Sequence, residues 1–435
     1  MSKIKNILHI IAFFVGLSVS AQQTPAPKQT GSILITGATA HVGNGTVIAN
    51  SAIGFREGKI TYAGPQSGVS PSDYDEVIDA GGKHVYPGFI AANSTLGLVE
   101  VDAVRASNDQ SDTGELIPHV RSLIAYNAES KVTESCRPNG ILMAQVAPRG
   151  GLISGTSSVV QLDAWNWEDA AIKTDDGIHM HWPSAFRSSG WSFSGPSEFK
   201  PNKDYDKDVT KLREFLSGAR TYLKGKRSPK NLPFEAVKGL FDGSQKLYIN
   251  ADGSKEIVDA VNFAKDIGVQ KVVIVGGHEA HKVADLLVKN DIPVVLSRPH
   301  RLPSGEDSDI KQPFMLAKQL ADKGVLTGLE MSGAMERMNT RNLPFYAGTF
   351  AAYGLDKEKA VQMITGNNAK ILGIDDFAGT LETGKDATLF ISEGDALDMR
   401  TNILSRAFVQ GREISLESHQ TKLWKRYMNK YETGR

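Results

Sequence analysis

The sequence predicts an α/β fold: a (β/α)8 barrel that carries a small β-sandwich built from its N- and C-terminal flanks. Short apolar runs separated by turn residues, such as 33–36 and 59–62, form a β-meander, and the same texture returns at 387–391. Between these flanks, strand and helix patterns alternate over 87–375. That segment is long enough for eight βα units, which typically need about 250 residues.

The repeating unit of the barrel is clearest in the second half of the chain. The run 272–275 (VVIV) is short and apolar, as buried parallel strands tend to be. One amphipathic helical pattern precedes it, and a second one follows before the strand-like run 292–296 (IPVVL). The apolar positions are Ile257, Ala260, Val261 and Ala264 in the first pattern, and Ala280, Val283, Ala284 and Leu287 in the second. This alternation predicts consecutive βα units.

The changes between these sequence patterns predict the domain boundaries. The split β-sandwich is expected at 32–86 and 376–415, and the barrel at 87–375. Residues 22–31 are polar and contain proline, so they predict a mobile spacer. The tail, 416–435, predicts a helix. Its apolar stripe consists of Leu423, Trp424, Tyr427 and Tyr431, and the basic residues between them are expected to form its solvated face.

A stretch at about 150–235 fits the barrel pattern least well and is interpreted as a Trp-rich insertion. Aromatic residues stand here among Gly, Ser and Asp: Trp165, Trp167, Trp182, Phe186, Trp191 and Phe193. Because barrel function sits in the loops after the strands, one interpretation is a lid or a substrate wall. The alternative is a loop subdomain with its own aromatic core.

The N-terminus predicts export. Lys3 and Lys5 form a positive head, an apolar run follows over 7–20, and Val19 and Ala21 place small residues at a cleavage site. We therefore expect a signal peptide at 1–21, cleaved after Ala21, and a periplasmic or secreted protein. The apolar run is too short for a membrane span.

Composition excludes several function classes. The chain has 49 Lys+Arg and 49 Asp+Glu, and this balance lacks the basic excess that nucleic-acid binding needs. Outside the N-terminus no segment predicts a membrane span. Cys136 is the only cysteine, so an intrachain disulfide is impossible. We expect it to be a buried packing residue rather than a reactive thiol.

Four segments carry a resemblance to a known family. Tyr86-Pro87-Gly88-Phe89-Ile90 resembles the start of the first barrel strand of amidohydrolases, where Pro-Gly-Phe-Ile-Asp-x-His-x-His is usual, and the likeness is greatest to the imidazolonepropionase-like group. The segments 341–348, 369–373 and 379–387 resemble, in order, the segment after the last barrel strand, the helix leading out of the barrel and the return to the sandwich. The resemblance implies a TIM-like barrel and hydrolysis of C–N bonds.

The resemblance also implies a metal centre, in which zinc or a similar ion activates water. The family's ligands are two His after strand one, a His on strand five, a His on strand six and an Asp after strand eight. The aligned positions here are Asn93, Thr95, Asn250, Gly276 and Ser332, so every ligand position that can be placed is substituted. We therefore predict a degenerate metal site and no bound cofactor.

A comparison of free energies supports the prediction that the metal site is lost. Lowering the pKa of water from 15.7 to about 7 corresponds to roughly 12 kcal/mol in favour of hydroxide. A neutral hydrogen bond from an amide such as that of Asn93 contributes on the order of 1 kcal/mol.

Two alternative hypotheses predict that the barrel mouth still catalyses a reaction. A displaced zinc site would combine His179, His181, His278 and His281, although the first two fall in the expected insertion. A metal-free acid–base site would use Asp252, His278 or Glu279 as its catalytic residue. His278 and Glu279 follow a strand end, and Asp252, Glu330 and Ser332 are expected to point into the same cavity.

The sequence thus leaves three functional hypotheses. The first is a weak or inactive amidohydrolase homologue that acts as a binding or subunit protein for a small-molecule amide or peptide-like ligand, as a homo-oligomer or in complex with an active homologue. The second is an active hydrolase of C–N bonds or small peptides that uses one of the unusual sites. The third is capture of a carbohydrate or peptide by the Trp-rich insertion.

Overall fold

Two eight-stranded β-sheets organise the chain. The computed structural model describes residues 24–189, 198–303, 308–333 and 335–432. The predicted signal peptide lies outside the described residues, as do Trp191 and Phe193. Within the described ranges, no helix is both long and apolar enough to cross a membrane.

The first sheet unites the two flanks of the chain. Its strands are β1 (Ile33–His41), β2 (Val47–Arg56), β3 (Lys59–Pro65), β4 (Glu76–Asp79), β5 (His84–Pro87), β16 (Leu389–Ser392), β17 (Leu404–Val409) and β18 (Arg412–Glu413). The order is β18-β17-β16-β5-β1-β2-β3, with β4 paired to β1. The antiparallel pairing of β5 with β16 joins the N-terminal flank to the C-terminal one. Phe55 and Phe408 meet edge to face in the buried core of this domain.

The second sheet is the barrel. Its strands are β6 (Phe89–Ser94), β7 (Ile141–Val146), β8 (Ile153–Gln161), β9 (Ala171–His181), β12 (Lys246–Ala251), β13 (Val272–Gly276), β14 (Val294–Leu296) and β15 (Thr327–Leu329). They are hydrogen-bonded in that order, and a bridge between Ala92 and Glu330 joins the two ends. The predicted TIM-like barrel is confirmed. One strand departs from the regular pattern, since β8 runs antiparallel to both β7 and β9.

The expected Trp-rich insertion is wrong in its first part, because 153–161 and 171–181 are barrel strands. The sequence of β8, ISGTSSVVQ, resembles a loop, but the whole strand is buried. Several of its polar side chains form hydrogen bonds inside the barrel; for example, Ser157 donates to Asp176 at 2.8 Å and Thr156 donates to the carbonyl of Pro118 at 2.7 Å. A segment outside the barrel sheet begins only after His181. It contains the hairpin of β10 (Phe186–Ser189) and β11 (Glu198–Pro201).

The tryptophans of this region do not share one core. Trp182 is buried against Phe263, with ring centroids 5.1 Å apart, whereas Trp165 is exposed. The interpretation as a subdomain with its own aromatic core is therefore wrong for the described residues.

The helices are α1 (Lys131–Glu134), α2 (Trp167–Ala170), α3 (Tyr205–Lys224), α4 (Leu232–Ala236), α5 (Lys238–Asp242), α6 (Ser254–Ile267), α7 (Ala284–Lys289), α8 (Gln312–Asp322), α9 (Glu336–Asn339), α10 (Leu343–Ala352), α11 (Lys357–Met363), α12 (Gly366–Leu372) and α13 (His419–Glu432). Helix α6 has the predicted apolar face, which is buried against the barrel. It ends where Gly268 adopts φ +85°, a left-handed conformation that favours glycine.

Two terminal segments complete the chain. The described part of the expected spacer, 24–31, has no helix or strand and forms hydrogen bonds to the barrel and to the C-terminal flank. The amide of Ala26 donates to Asp163, and Arg412 donates to the carbonyl of Ala26. Helix α13 forms as predicted and buries none of its residues. Cys136 is buried as predicted, and burial raises the pKa of its thiol to about 12.

Candidate functional site

Polar side chains gather at the C-terminal ends of the parallel barrel strands, the end where barrel enzymes carry their chemistry. All five positions aligned with the family's metal ligands lie here. They divide into two groups. We call the part around Asn93, Thr95, Arg149 and Glu336 the sealed half, and the part around His181, Asn250, Ser297 and Ser332 the open half.

Arg149, the third residue after the end of β7, organises the sealed half. Its guanidinium donates to Asn93 Oδ1 at 3.0 Å, to the carbonyl of Asn93 at 2.7 Å and to Glu336 Oε1 at 2.6 Å. The amide of Thr95 donates to the same Glu336 oxygen at 3.0 Å. Because these groups satisfy one another, this side of the mouth is filled by protein atoms.

Glu330 lies between the two halves and is completely buried. Its Oε1 accepts hydrogen bonds from the hydroxyls of Ser297 and Ser332, both at 2.6 Å, and Asn93 Nδ2 lies 3.4 Å from its Oε2. Burial raises the pKa of Glu330 to about 7, and the two serine hydrogen bonds oppose this rise. The carboxyl group can therefore take up or release a proton near neutral pH.

A second buried carboxyl group lies deeper in the barrel. Asp176 accepts hydrogen bonds from Gln145, Ser157 and Tyr248, each at 2.8 Å. Gln145 in turn accepts the backbone N–H of Asn93 at 2.9 Å, which links this network to the sealed half. Burial raises the pKa of Asp176.

The structure corrects the expected position of His179 and His181. Both are at the C-terminal end of the barrel strand β9, not in an insertion. His179 is fully buried and stacks on Tyr248 with ring centroids 4.7 Å apart, and neither of its ring nitrogens has a hydrogen-bond partner among the described residues. Burial lowers the pKa of His181 to about 4, with a further contribution from the Arg149 cation. Both imidazoles are therefore neutral at pH 7.

The open half encloses a cavity of about 270 Å³. His181, Trp182 and Ser184 line one side, and Asn250, Asp252, Glu256, Gly276, Ser297 and Ser332 complete the lining. A larger cavity, about 420 Å³, lies at the opposite end of the barrel near Pro293 and Thr327. None of the aligned positions is at that end, and barrel enzymes do not place their chemistry there.

Of the three proposed catalytic candidates, Asp252, His278 and Glu279, the structure places one in the lining of this cavity. Asp252 lines the cavity, and its Oδ1 is 3.3 Å from His278 Nδ1. Glu279 turns away from the cavity and accepts from the backbone N–H and the hydroxyl of Ser254, so it holds the start of α6. His281 lies apart from these groups and contacts Gln312 at 3.1 Å. Asp252 and Ser332 share the cavity as expected, whereas Glu330 lies behind it.

The residues at the aligned positions do not fit the family's zinc ion. Asn93 Oδ1 already accepts from Arg149, and Ser332 Oγ donates to Glu330. Gly276 has φ +94°, a conformation that strains residues with a side chain, and a Cβ there would lie 2.4 Å from Asp252 Oδ1, so this backbone disfavours a histidine. Throughout the part of the chain that the structure describes, no three His, Cys, Asp or Glu side chains are grouped to hold a metal ion.

Comparison with known proteins agrees with this architecture. The family model described as the amidohydrolase family matches residues 256–415, which run from α6 to just beyond β18. The resemblance to the amidohydrolases is confirmed. The match covers the second half of the barrel and the C-terminal flank. No curated protein matches the chain in sequence.

Several solved amidohydrolase-type structures share the fold. An amidohydrolase from Thermotoga maritima MSB8 is 23% identical, with a TM-score of 0.75 and 88% of this chain and 99% of that chain covered. A Xaa-Pro dipeptidase with methionine in its active site is 14% identical, with a TM-score of 0.53 and coverage of 88% and 100%. A zinc-containing adenosine deaminase from Xanthomonas campestris is 12% identical, with a TM-score of 0.53 and coverage of 94% and 100%.

Arg149, the cation of this site, is not among the site residues predicted from the sequence. Arg149 lies in Pro148-Arg149-Gly150-Gly151, directly after the buried run of β7. An arginine in a Pro/Gly turn at a barrel strand end was the available signal. Glu336 and Asp176 had no signal of their own, because only the folded chain brings each of them to its partners.

Proposed function

We propose that this protein binds a small amide or peptide-like molecule in the open half of its barrel mouth and does not carry out the zinc-dependent hydrolysis of amidohydrolases. One observation carries the proposal: the Arg149 guanidinium binds the oxygens of Asn93 and Glu336 on the side where the family places its first two ligands. A cation held by the chain itself neutralises this site, and a divalent ion would meet it with repulsion.

The cavity supports a small polar ligand. Its volume of about 270 Å³ is below the roughly 300–1,000 Å³ usual for drug-sized molecules. Its lining offers hydroxyls from Ser184, Ser297 and Ser332 and a carboxylate from Asp252, a set that can hydrogen-bond both to amide groups and to amines. Since a structurally similar Xaa-Pro dipeptidase holds methionine, amino acids and dipeptides are the first compounds to test.

The proposal also covers the export of this protein and its assembly into an oligomer or a complex. The signal-peptide pattern of 1–21 supports action in the periplasm or outside the cell. Such a protein, without the zinc-dependent reaction, would act as a homo-oligomer or beside an active homologue.

The test uses the mature chain from residue 22. We expect less than stoichiometric zinc after incubation with the ion and gel filtration, measured by elemental analysis, and calorimetric binding of members of a panel of amino acids, dipeptides and cyclic amides. Ser184→Trp, which fills the cavity, should abolish that binding. Ser217→Trp, on the exposed face of α3, is the matched control and should preserve it. Stoichiometric zinc together with zinc-dependent turnover would overturn the proposal.

A further inference from the structure

We propose that the open half contains a metal-free acyl-transfer site, with Ser332 as nucleophile, Glu330 as general base and His181 as the hydrogen-bond donor to the developing oxyanion. This inference rests on the proposed function, because it places chemistry in the same cavity. It goes beyond that function by assigning a reaction and three roles.

The nucleophile and the base are in hydrogen-bond contact. Ser332 Oγ donates to Glu330 Oε1 at 2.6 Å, and the amide of Ser332 donates to Oε2 of the same carboxyl group at 2.5 Å. These two bonds orient the hydroxyl toward its base, which is the arrangement that activates a serine. Ser332 also lines the cavity, so its oxygen can reach a bound molecule.

The surroundings of Glu330 suit a proton acceptor. The carboxyl group is fully buried, and its pKa is raised to about 7, mainly by that burial. Such a group takes a proton readily near neutral pH and can return it to a leaving group. Ser297 donates to the same oxygen at 2.6 Å, so the carboxyl group keeps a partner after the Ser332 proton has moved.

His181 supplies an uncommitted donor across the cavity. His181 lines the cavity, and within the described residues no side-chain hydrogen bond involves its ring nitrogens. Burial and Arg149 lower its pKa to about 4, so the ring is a neutral imidazole at pH 7. A neutral imidazole N–H can stabilise a carbonyl oxygen that becomes negative without itself losing a proton.

The reaction balances with water as the only co-reactant. Ser332 Oγ attacks the acyl carbon while Glu330 takes the serine proton. The C–N or C–O bond then breaks, and the leaving amine or alcohol departs with that proton, which leaves an acyl-serine ester. Water attacks the ester, Glu330 takes a proton from the water, and Ser332 recovers its proton as the acid is released.

The experiment uses p-nitrophenyl acetate with the mature chain, followed by acid quench, intact mass spectrometry and peptide mapping. We expect one acetyl group per chain on Ser332 and a matching burst of p-nitrophenol. Ser332→Ala should abolish both. Glu330→Gln should slow acylation by about 10²-fold or more, and the wild-type acylation rate should rise as pH increases through about 7. Ser217→Ala, on the exposed face of α3, should behave as the wild type.

The outcomes separate this inference from the proposed function. Calorimetric binding of the ligand panel without acetylation of Ser332 would overturn the acyl-transfer site and leave the binding function standing. Equal acetylation in wild type and Ser332→Ala would also overturn it, because the label would then be on other side chains. Absence of both binding and acetylation would overturn both. Circular dichroism of each variant confirms that it is folded.

Discussion

The sealed and open halves of the barrel mouth occupy equivalent strand ends but are built on different principles. In the sealed half, Arg149 joins Asn93 and Glu336 through a closed set of hydrogen bonds. In the open half, Ser332 and His181 face a cavity. The difference shows that buried carboxylates at a barrel mouth need a cation or a proton. Glu336 is paired with the Arg149 cation, whereas burial raises the pKa of Glu330 to about 7, so that its carboxyl group exchanges a proton near neutral pH.

Removal of the cation tests this contrast most strongly. Arg149→Met should lower the free energy of unfolding by about 3–5 kcal/mol, because it leaves a largely buried carboxylate without its partner. Arg121→Met removes an exposed arginine that is 2.7 Å from Asp175 and should cost no more than about 1 kcal/mol. Urea denaturation of both variants measures the difference. Similar losses of unfolding free energy in the two variants would show that the Arg149–Glu336 pair contributes no more to stability than a surface ion pair.

The proton on Glu330 should appear in the pH dependence of stability. The ordinary pKa of 4.5 applies to the unfolded chain, and the pKa of about 7 applies to the folded one. Between these values only the folded state holds the proton, so the stabilisation is complete below about pH 4.5 and is lost as pH rises through 7.

Relative to Glu330→Gln, the wild type should therefore lose on the order of 3 kcal/mol of unfolding free energy between pH 5 and pH 8. Chemical denaturation across this range measures the change. If plots of unfolding free energy against pH were parallel for the two proteins, Glu330 would be ionised throughout this pH range.

Two asparagines provide a matched pair, one in each half. Asn93 has φ +46° and accepts from Arg149, so Asn93→Ala should cost about 2 kcal/mol or more through backbone strain and an unpaired guanidinium N–H. The side chain of Asn250 donates to the carbonyl of Met180 at 3.2 Å, and Asn250→Ala should cost about 1 kcal/mol or less. Thermal and urea unfolding can rank the two. The reverse order would contradict the division into halves.

Substitution of His179 should give the smallest change in stability, with the opposite sign. His179→Phe should stabilise the protein by about 1 kcal/mol, because it removes two buried polar atoms that have no partner among the described residues and keeps an aromatic ring against Tyr248. Thermal unfolding measures the gain. A clear loss of stability would show that the ring nitrogens hold a buried water or a ligand atom.

The fold was predictable where periodicity and burial agree. Helix α6 and strand β13 have plain apolar patterns, and both form as expected. Strand β8 was not predictable, because its Ser, Thr and Gly residues are typical of loops in isolation. They become acceptable in a strand only when groups such as Asp176 meet them inside the barrel.

The candidate site was predictable only as a set of substitutions. Residue identity and order are enough to place Asn93, Asn250, Gly276 and Ser332 at the positions aligned with metal ligands. The groups that occupy the place of the ion are visible only in the folded protein. Arg149 reaches Glu336, nearly two hundred residues further along the chain, and Glu330 gains its raised pKa from burial. Both effects depend on distance and solvent exclusion, which are properties of the folded chain.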